Sequence, residues 1–126
     1  MGKSDKLFLD IAGLPLFGHT WRRCDLFPDA DEIILVVRDD MRPLFEELAR
    51  RIDAQTPWQL VAGGAARQDS VWNGVNATAA GSEIVAIQDG ARPCLPLAVA
   101  QLAVAAAREM GAAVLAKQVS DTLKRG

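Results

Sequence analysis

Apolar and polar positions along the chain follow two periodicities. Short apolar runs, several of them rich in β-branched side chains, predict buried strands. Between these runs, apolar residues recur at spacings of three and four, which is typical of helices with one buried face. The predicted strands lie at 7–11, 32–38, 58–62, 83–88 and 112–116, and the predicted helices at 15–26, 39–52, 67–78 and 96–109. This alternation indicates one α/β domain over residues 1–126, with a Rossmann-like, doubly wound, mostly parallel sheet and helices on both faces.

Two of the predicted helices carry further expectations. Asp39 or Asp40 can cap the second helix, whose apolar residues we expect to form one buried face. The stretch 97–107 is apolar but too short to span a bilayer, and Arg108 and Glu109 follow it, so we expect a buried helix. The apolar residues of the second helix are Met41, Leu44, Phe45, Leu48 and Ile52.

Length, charge and composition exclude several classes of protein. The chain has 126 residues and a net charge of -2, and it contains no basic stripe, so nucleic acid is excluded as a main partner. No apolar run reaches membrane-spanning length, and the N-terminus lacks the apolar core of a signal peptide. Cys24 and Cys94 lie far apart without metal-binding spacing. We therefore expect a reduced, cytoplasmic protein with no membrane partner, disulfide or zinc site.

The segment after the strand at 83–88 carries the most distinctive candidate chemistry. The apolar run ends at Asp89, and Arg92 follows three residues later. Open parallel sheets bind ligands outside the carboxyl ends of their strands. A carboxylate there can hold Mg2+ beside a triphosphate, and a guanidinium can bind a second phosphate through its planar fork. The structural alternative is a turn in which Asp89 caps the next helix and Arg92 pairs with a surface acid.

A second candidate site follows the strand at 58–62. Gly63 and Gly64 precede a predicted helix, so the backbone can approach a ligand closely and helix-end amides can face an anion. Ser70 lies in the first turn of that helix, where its hydroxyl can bond a ligand or cap the backbone. Such turns are common between strands and helices, so a purely structural role is the alternative.

Three other places carry polar groups of interest. Lys6, taken alone, has the position of a solvated lysine near a terminus. His19 is the only histidine, which excludes a histidine-based metal cluster and favours a structural role. The segment 121–125 follows a predicted strand and can either reach a phosphate or form an ordinary polar terminus.

Four ordered blocks give the chain a resemblance to a known family. The blocks are KLFLDIAGLPLFGHT from Lys6, VAGGAARQDSVWNG from Val61, QDGARPCL from Gln88 and VSDTLKR from Val119. They span nearly the whole chain and resemble the cytidylyltransferases of isoprenoid biosynthesis, which transfer CMP from CTP to 2-C-methyl-D-erythritol 4-phosphate and release pyrophosphate. The resemblance implies in-line attack by the substrate phosphate on the α-phosphorus of CTP, with catalysis mainly by positioning and charge stabilisation.

The resemblance also implies roles for individual residues. The catalytic residues would be Lys6, which contacts the CTP phosphates, and Asp89, which serves the ribose and Mg2+ region directly or through water. Arg92 and Thr122 would bind the methylerythritol phosphate at a site shared across the interface of a homodimer. The nucleotide would be bound by Gly63, Gly64, Ser70, Asp89 and Gly90.

The chain departs from the family pattern within its length and at both ends. Ala65, Gly90 and Gln118 stand where an acid, an alanine and a proline are usual, and we expect these changes to be tolerated. The resemblance further implies an additional strand with a glycine-rich, arginine-bearing loop on the N-terminal side, and a dimerising arm with a catalytic lysine on the C-terminal side. Because the first strand is central in the doubly wound order, we expect the sequence to be an incomplete copy of a longer protein.

Two other functions stay open from the sequence. The first is a related enzyme that uses ribitol 5-phosphate or another sugar phosphate, since the glycine turn and Asp89 are compatible with several nucleotidylyltransferases. The second is a non-catalytic nucleotide-binding domain. The missing phosphate loop favours this second function, and the retained polar residues oppose it. Those residues are Lys6, Ser70, Asp89, Arg92 and Thr122.

Overall fold

The structure is a computed structural model that describes residues 6–118. Its strands are short, its helices have about three to four turns, and strands and helices alternate from α1 to α3, which is typical of an α/β chain. Single-turn 3-10 helices are found at Lys6–Phe8 and Asp39–Met41. The strands are β1 (Asp10–Ile11), β2 (Leu14–Pro15), β3 (Ile33–Val37) and β4 (Trp58–Ala62), and the helices are α1 (Leu16–Asp25), α2 (Arg42–Ile52), α3 (Arg67–Asn76) and α4 (Leu97–Met110).

A parallel pair of strands forms the centre of the fold. β3 pairs with β4 in a register that runs from Ile33 opposite Trp58 to Val37 opposite Ala62. The chain passes from one strand to the other through α2, since two neighbouring parallel strands need a crossover connection. The sequence therefore correctly predicted an α/β fold with a parallel sheet.

Helices cover both faces of this pair. Leu35 and Val37 point to the face where Trp21 of α1 and Phe45 of α2 complete a buried cluster. On the opposite face, α3 lies so close that a side-chain carbon built on its Gly74 would be 2.8 Å from Val36 Cγ2. The alternation of strand side chains between the two faces explains this division.

Aromatic contacts hold the first of these faces together. The Trp21 ring meets Trp58 edge to face at a centroid distance of 5.3 Å. Phe17 and Phe45 pack in the same way at 4.8 Å. Edge-to-face pairs add stability beyond the area they bury. These contacts fix α1 to the sheet, and α1 also contacts the candidate site.

Three strand predictions differ from the structure. The first predicted strand, 7–11, is a 3-10 turn followed by β1, which forms a small antiparallel hairpin with β2. The segments 83–88 and 112–116 are not assigned as strands. A strand exists through hydrogen bonds to a neighbour, and within residues 6–118 no strand pairs with either segment.

The predicted burial of 97–107 is also wrong. The helix forms as α4, but none of its residues is buried, and Leu102 is 69% exposed. In α2, Phe45 and Leu48 are buried as expected, whereas Leu44 is half exposed. Neither Asp39 nor Asp40 caps α2 with its side chain, because Asp39 instead accepts a hydrogen bond from Arg42 Nε.

Two further findings complete the fold. His19 Nε2 lies 2.7 Å from the Ile11 carbonyl oxygen and so joins α1 to the hairpin, which agrees with a structural role. Within residues 6–118, the helices lack the combination of length and apolar character that crossing a bilayer requires.

Candidate functional site

The Gly63–Gly64 turn lies at the carboxyl end of the parallel strands. The Gly63 amide donates to the Val37 carbonyl at 2.8 Å, which extends the pairing by one bond beyond β4. The chain then enters α3 within four residues. A side chain at Gly64 would collide with Asp69, so this position requires glycine in the observed turn. The turn therefore occupies the edge of the sheet at which parallel α/β folds bind ligands.

Ser70 fastens this turn to the helix that follows. Its hydroxyl accepts a hydrogen bond from the Gly64 amide at 3.0 Å and donates one to the Ala66 carbonyl at 3.2 Å. Asp69 adds a third contact, because its Oδ2 accepts from the Ala66 amide at 3.0 Å. Of the two roles that the sequence left open for Ser70, the structure shows the cap on the backbone.

The Asp89 turn is held by helix α1, while no described strand pairs with the segment that precedes it. Thr20 is buried at 3% exposure, and its Oγ1 donates to the Gly90 carbonyl at 2.7 Å. Arg23 Nε donates to the Leu95 carbonyl, also at 2.7 Å. The Arg92 amide closes the turn by donating to the Asp89 carbonyl at 3.1 Å. Side chains of α1 thus place the turn that carries the candidate carboxylate.

Asp89 lies between two guanidinium groups. Its Oδ1 accepts from Arg67 Nη2 at 2.7 Å, and its Oδ2 lies 2.9 Å from Arg92 Nε. The hydrogen bond from Arg67 is the main cause that lowers the pKa of Asp89. Slight burial opposes this shift, while the charges of Arg67, Arg92 and Lys6 add to it. The carboxylate is therefore ionised at neutral pH, with an excess of positive charge around it.

The structure brings most of the predicted site residues together. The Arg67–Asp89 contact joins the first residue of α3, next to the glycine turn, to the Asp89–Arg92 turn. Lys6 is near enough for its charge to act on Asp89. Of the structural alternative for this turn, the helix cap is wrong, since α4 begins at Leu97 without a side-chain cap. Arg92 does pair with an acid at the surface, and that acid is Asp89, whose side chain is 40% exposed. Thr122 lies outside the described residues.

Gly90 is more constrained than its sequence suggested. A Cβ atom built there would lie 2.7 Å from Phe17 Cδ2 and Cε2. Glycine therefore fits this position, in agreement with the expectation that the change from the usual alanine is tolerated, whereas an alanine would require the Phe17 ring to move. The small residue lets the Asp89 turn lie directly on α1.

Arg67 and Thr20 are the residues that sequence reasoning missed. Arg67 is 22 residues from Asp89 along the chain, and Thr20 is 70 residues from Gly90. Both residues lie inside the sequence blocks that carry the family resemblance, around the first helix and the glycine turn. Membership of these blocks was the only sequence signal that could have pointed to them. A nearby hollow of about 450 Å3 lies against α1 beside Pro93 and Cys94, but Asp89 and Arg67 do not line it. Converging charges mark the candidate site.

The donor set fits only one kind of metal binding. Within the described part of the chain, His, Cys, Asp and Glu side chains form no group of three that could hold an ion. Asp89 offers a single carboxylate. Both oxygens of this carboxylate are paired with arginines. A Mg2+ ion would be held here only together with water and substrate phosphates, which is the way it is commonly bound.

Comparison with known proteins shows a consistent likeness over most or all of the chain. Residues 1–126 match the model of the IspD family, 2-C-methyl-D-erythritol 4-phosphate cytidylyltransferase. Proteins of that name from Bacillus thuringiensis (strain Al Hakam) and Syntrophotalea carbinolica are 39% and 42% identical over 96% and 98% of this chain. A solved structure, 4-diphosphocytidyl-2C-methyl-D-erythritol synthase from Anaerococcus prevotii, matches with a TM-score of 0.75 and 25% identity over 82% of this chain.

The likeness covers only part of each relative. The chain spans 53% and 54% of the two curated relatives and 46% of the solved chain. About half of each relative therefore has no counterpart among the 126 residues.

Proposed function

Because this chain belongs to the family of 2-C-methyl-D-erythritol 4-phosphate cytidylyltransferases, we propose that it takes part in the transfer of CMP from CTP to 2-C-methyl-D-erythritol 4-phosphate. The observation that carries this proposal is the cluster of Lys6, Arg67, Asp89 and Arg92 beside the Gly63–Gly64 turn. This cluster lies next to the carboxyl edge of the parallel strands, where α/β proteins bind nucleotides.

In this proposal, the two turns divide the work of binding CTP. The Gly63–Gly64 turn, held by Ser70, forms one wall of the cytosine and ribose pocket. Asp89 and Gly90 form the opposite wall near the ribose. The hydrogen bonds that fix both turns before binding reduce the ordering that a ligand has to induce.

The reaction is a substitution at phosphorus. An oxygen of the methylerythritol phosphate attacks the α-phosphorus, the bond from that phosphorus to the bridging oxygen breaks, and pyrophosphate leaves. Negative charge moves onto the leaving group, so the positive charge of Lys6 would stabilise it. Mg2+, bound with the phosphates near Asp89, would supply further charge neutralisation.

The second substrate and the assembly complete the proposal. Arg92 and Thr122 bind the phosphate of the polyol, and Arg92 is suited to this role because a guanidinium can bind two phosphate oxygens at once. We propose that this subsite lies at the interface of a homodimer, as the family resemblance implies. The two widely separated cysteines favour a cytoplasmic protein.

Pyrophosphate release from CTP tests the proposal directly. The full chain is assayed with Mg2+ and either 2-C-methyl-D-erythritol 4-phosphate or ribitol 5-phosphate. Release that depends on the first polyol supports the proposal, while release only with the second shows the related enzyme. Binding of CTP without turnover shows a non-catalytic nucleotide-binding domain.

Arg92→Ala tests the assignment of the polyol subsite. The substitution should raise KM for the polyol phosphate by about tenfold or more and leave KM for CTP nearly unchanged, because one charged hydrogen-bonding partner is lost. The assignment is wrong if KM for CTP rises instead.

A further inference from the structure

Asp89 is the shared partner of two exposed arginines. Within residues 6–118, the ion pairs of Arg67 and Arg92 both end on this carboxylate, one on each oxygen. Lys6 contributes a third positive charge nearby. Two arginines therefore contact one anion, and the charge of Lys6 also acts on it, so the cluster retains positive charge even when Asp89 is ionised.

The two ion pairs of Asp89 can separate at little cost in free energy. The side chains of Arg67 and Arg92 are 72% and 77% exposed, and that of Asp89 is 40% exposed. Ion pairs exposed to this degree contribute little stability, because water and salt screen them. A phosphate group offers a guanidinium the same paired oxygens as a carboxylate and carries more charge.

The neighbouring acid does not compete for Arg67. Asp69 lies two residues further along α3, but its Oδ2 accepts the Ala66 amide and so holds the turn. The Arg67 ion pair joins α3 to the Asp89 turn, between the two walls of the proposed nucleotide site.

We propose that Asp89 serves as a built-in counter-ion which a phosphate chain displaces, and that Arg67 then becomes a ligand of that phosphate chain. The inference rests on the proposed use of a nucleoside triphosphate. It adds Arg67 as a phosphate-binding residue and Asp89 as an internal anion that competes with the phosphate for Arg67. Exchange of one anion for another on the same guanidinium breaks and forms no covalent bond.

Calorimetric titration with inorganic pyrophosphate, in EDTA to exclude metal ions, tests this exchange on the full chain. Arg67→Gln should weaken pyrophosphate binding by about tenfold, because a charged hydrogen bond is lost. Asp89→Asn should tighten it by about threefold to tenfold, because the competing anion is removed. The matched control is Arg50→Gln, which removes the arginine of the exposed pair with Glu47 and should leave binding unchanged.

The double variant Arg67→Gln/Asp89→Asn separates local exchange from a general effect of charge. If Arg67 is the residue that Asp89 blocks, most of the gain from Asp89→Asn should disappear when Arg67 is absent. A misfolded variant cannot explain tighter binding, so the Asp89→Asn arm also guards against loss of structure.

Three results would overturn the inference. They are no pyrophosphate binding at millimolar concentration, unchanged binding in Arg67→Gln, and unchanged or weaker binding in Asp89→Asn. The proposed function is tested separately, by turnover of CTP with the polyol phosphate. Turnover without metal-free pyrophosphate binding therefore removes this inference and leaves the proposed function in place.

Discussion

The hydroxyl of Thr20 should supply a measurable part of the stability around the Asp89 turn. Thr20 is 3% exposed, and its Oγ1 donates to the Gly90 carbonyl at 2.7 Å across 70 residues of sequence. Valine has nearly the same shape but no donor, so Thr20→Val leaves this carbonyl without its partner. Removing one partner of such a bond costs about 1–2 kcal/mol, so the unfolding equilibrium constant should rise by about one order of magnitude.

Urea unfolding, followed by circular dichroism, measures this cost, and hydrogen exchange of the Arg92 amide reports on the turn itself. The control is Thr78→Val, which removes a local hydrogen bond of 2.8 Å to the Val75 carbonyl at the end of α3. The control should cost at most about 0.5 kcal/mol. If Thr20→Val costs no more than Thr78→Val and Arg92 exchange is unchanged, α1 does not hold the turn.

Two other substitutions test the packing and electrostatics that surround the site. Gly90→Ala should destabilise the chain by about 1–3 kcal/mol, because the new methyl group meets the Phe17 ring at 2.7 Å. Gly81→Ala, where a methyl group meets nothing within 4 Å, is the control, and equal unfolding midpoints would refute the clash. Asp25→Ala should cost about 1 kcal/mol at pH 7, after allowance for screening, because its carboxylate accepts the amides of residues 55–56. Burial opposes ionisation of Asp25, but these hydrogen bonds outweigh it and lower the pKa of this carboxyl. The stabilisation by the carboxylate is therefore complete above the unfolded-state pKa of about 3.9. It disappears as the pH falls through the lower pKa of the folded state. Urea unfolding measures the difference in the free energy of unfolding between wild type and Asp25→Ala. If that difference stays constant down to acid pH, the carboxylate of Asp25 does not contribute in this way.

The elements that sequence predicted well are those whose pattern is local. Apolar spacing along 42–52 and the β-branched run at 33–37 identified α2 and β3, and the glycine turn marked the start of α3. In each case the side chains of one segment determine whether it forms a helix or a strand, and which of its faces is buried.

The failures at 83–88 and in α4 concern partners that a local pattern cannot show. The segment 83–88 has the apolar character of a strand, yet no described strand pairs with it, and Ile87 is 60% exposed. The same reason explains α4, whose apolar residues form a helix by propensity but find no described surface that buries them.

The candidate site shows the same division between local and distant information. Asp89 and Arg92 are three residues apart, so the sequence placed both in one candidate site, although it did not predict that they pair with each other. The contacts of Arg67 with Asp89 and of Thr20 with Gly90 depend on how α3 and α1 lie against the turn. Only the fold reveals such long-range pairs.

Calorimetric titration of CTP in the presence of Mg2+ tests the central claim most directly, namely that the two turns and Lys6 form a nucleotide site. The chain should give saturable heat. Lys6→Gln should weaken binding by about tenfold because a charged phosphate contact is lost, whereas Arg50→Gln should match the wild type. Absence of saturable heat at millimolar CTP, or equal affinity of Lys6→Gln and wild type, would contradict the claim.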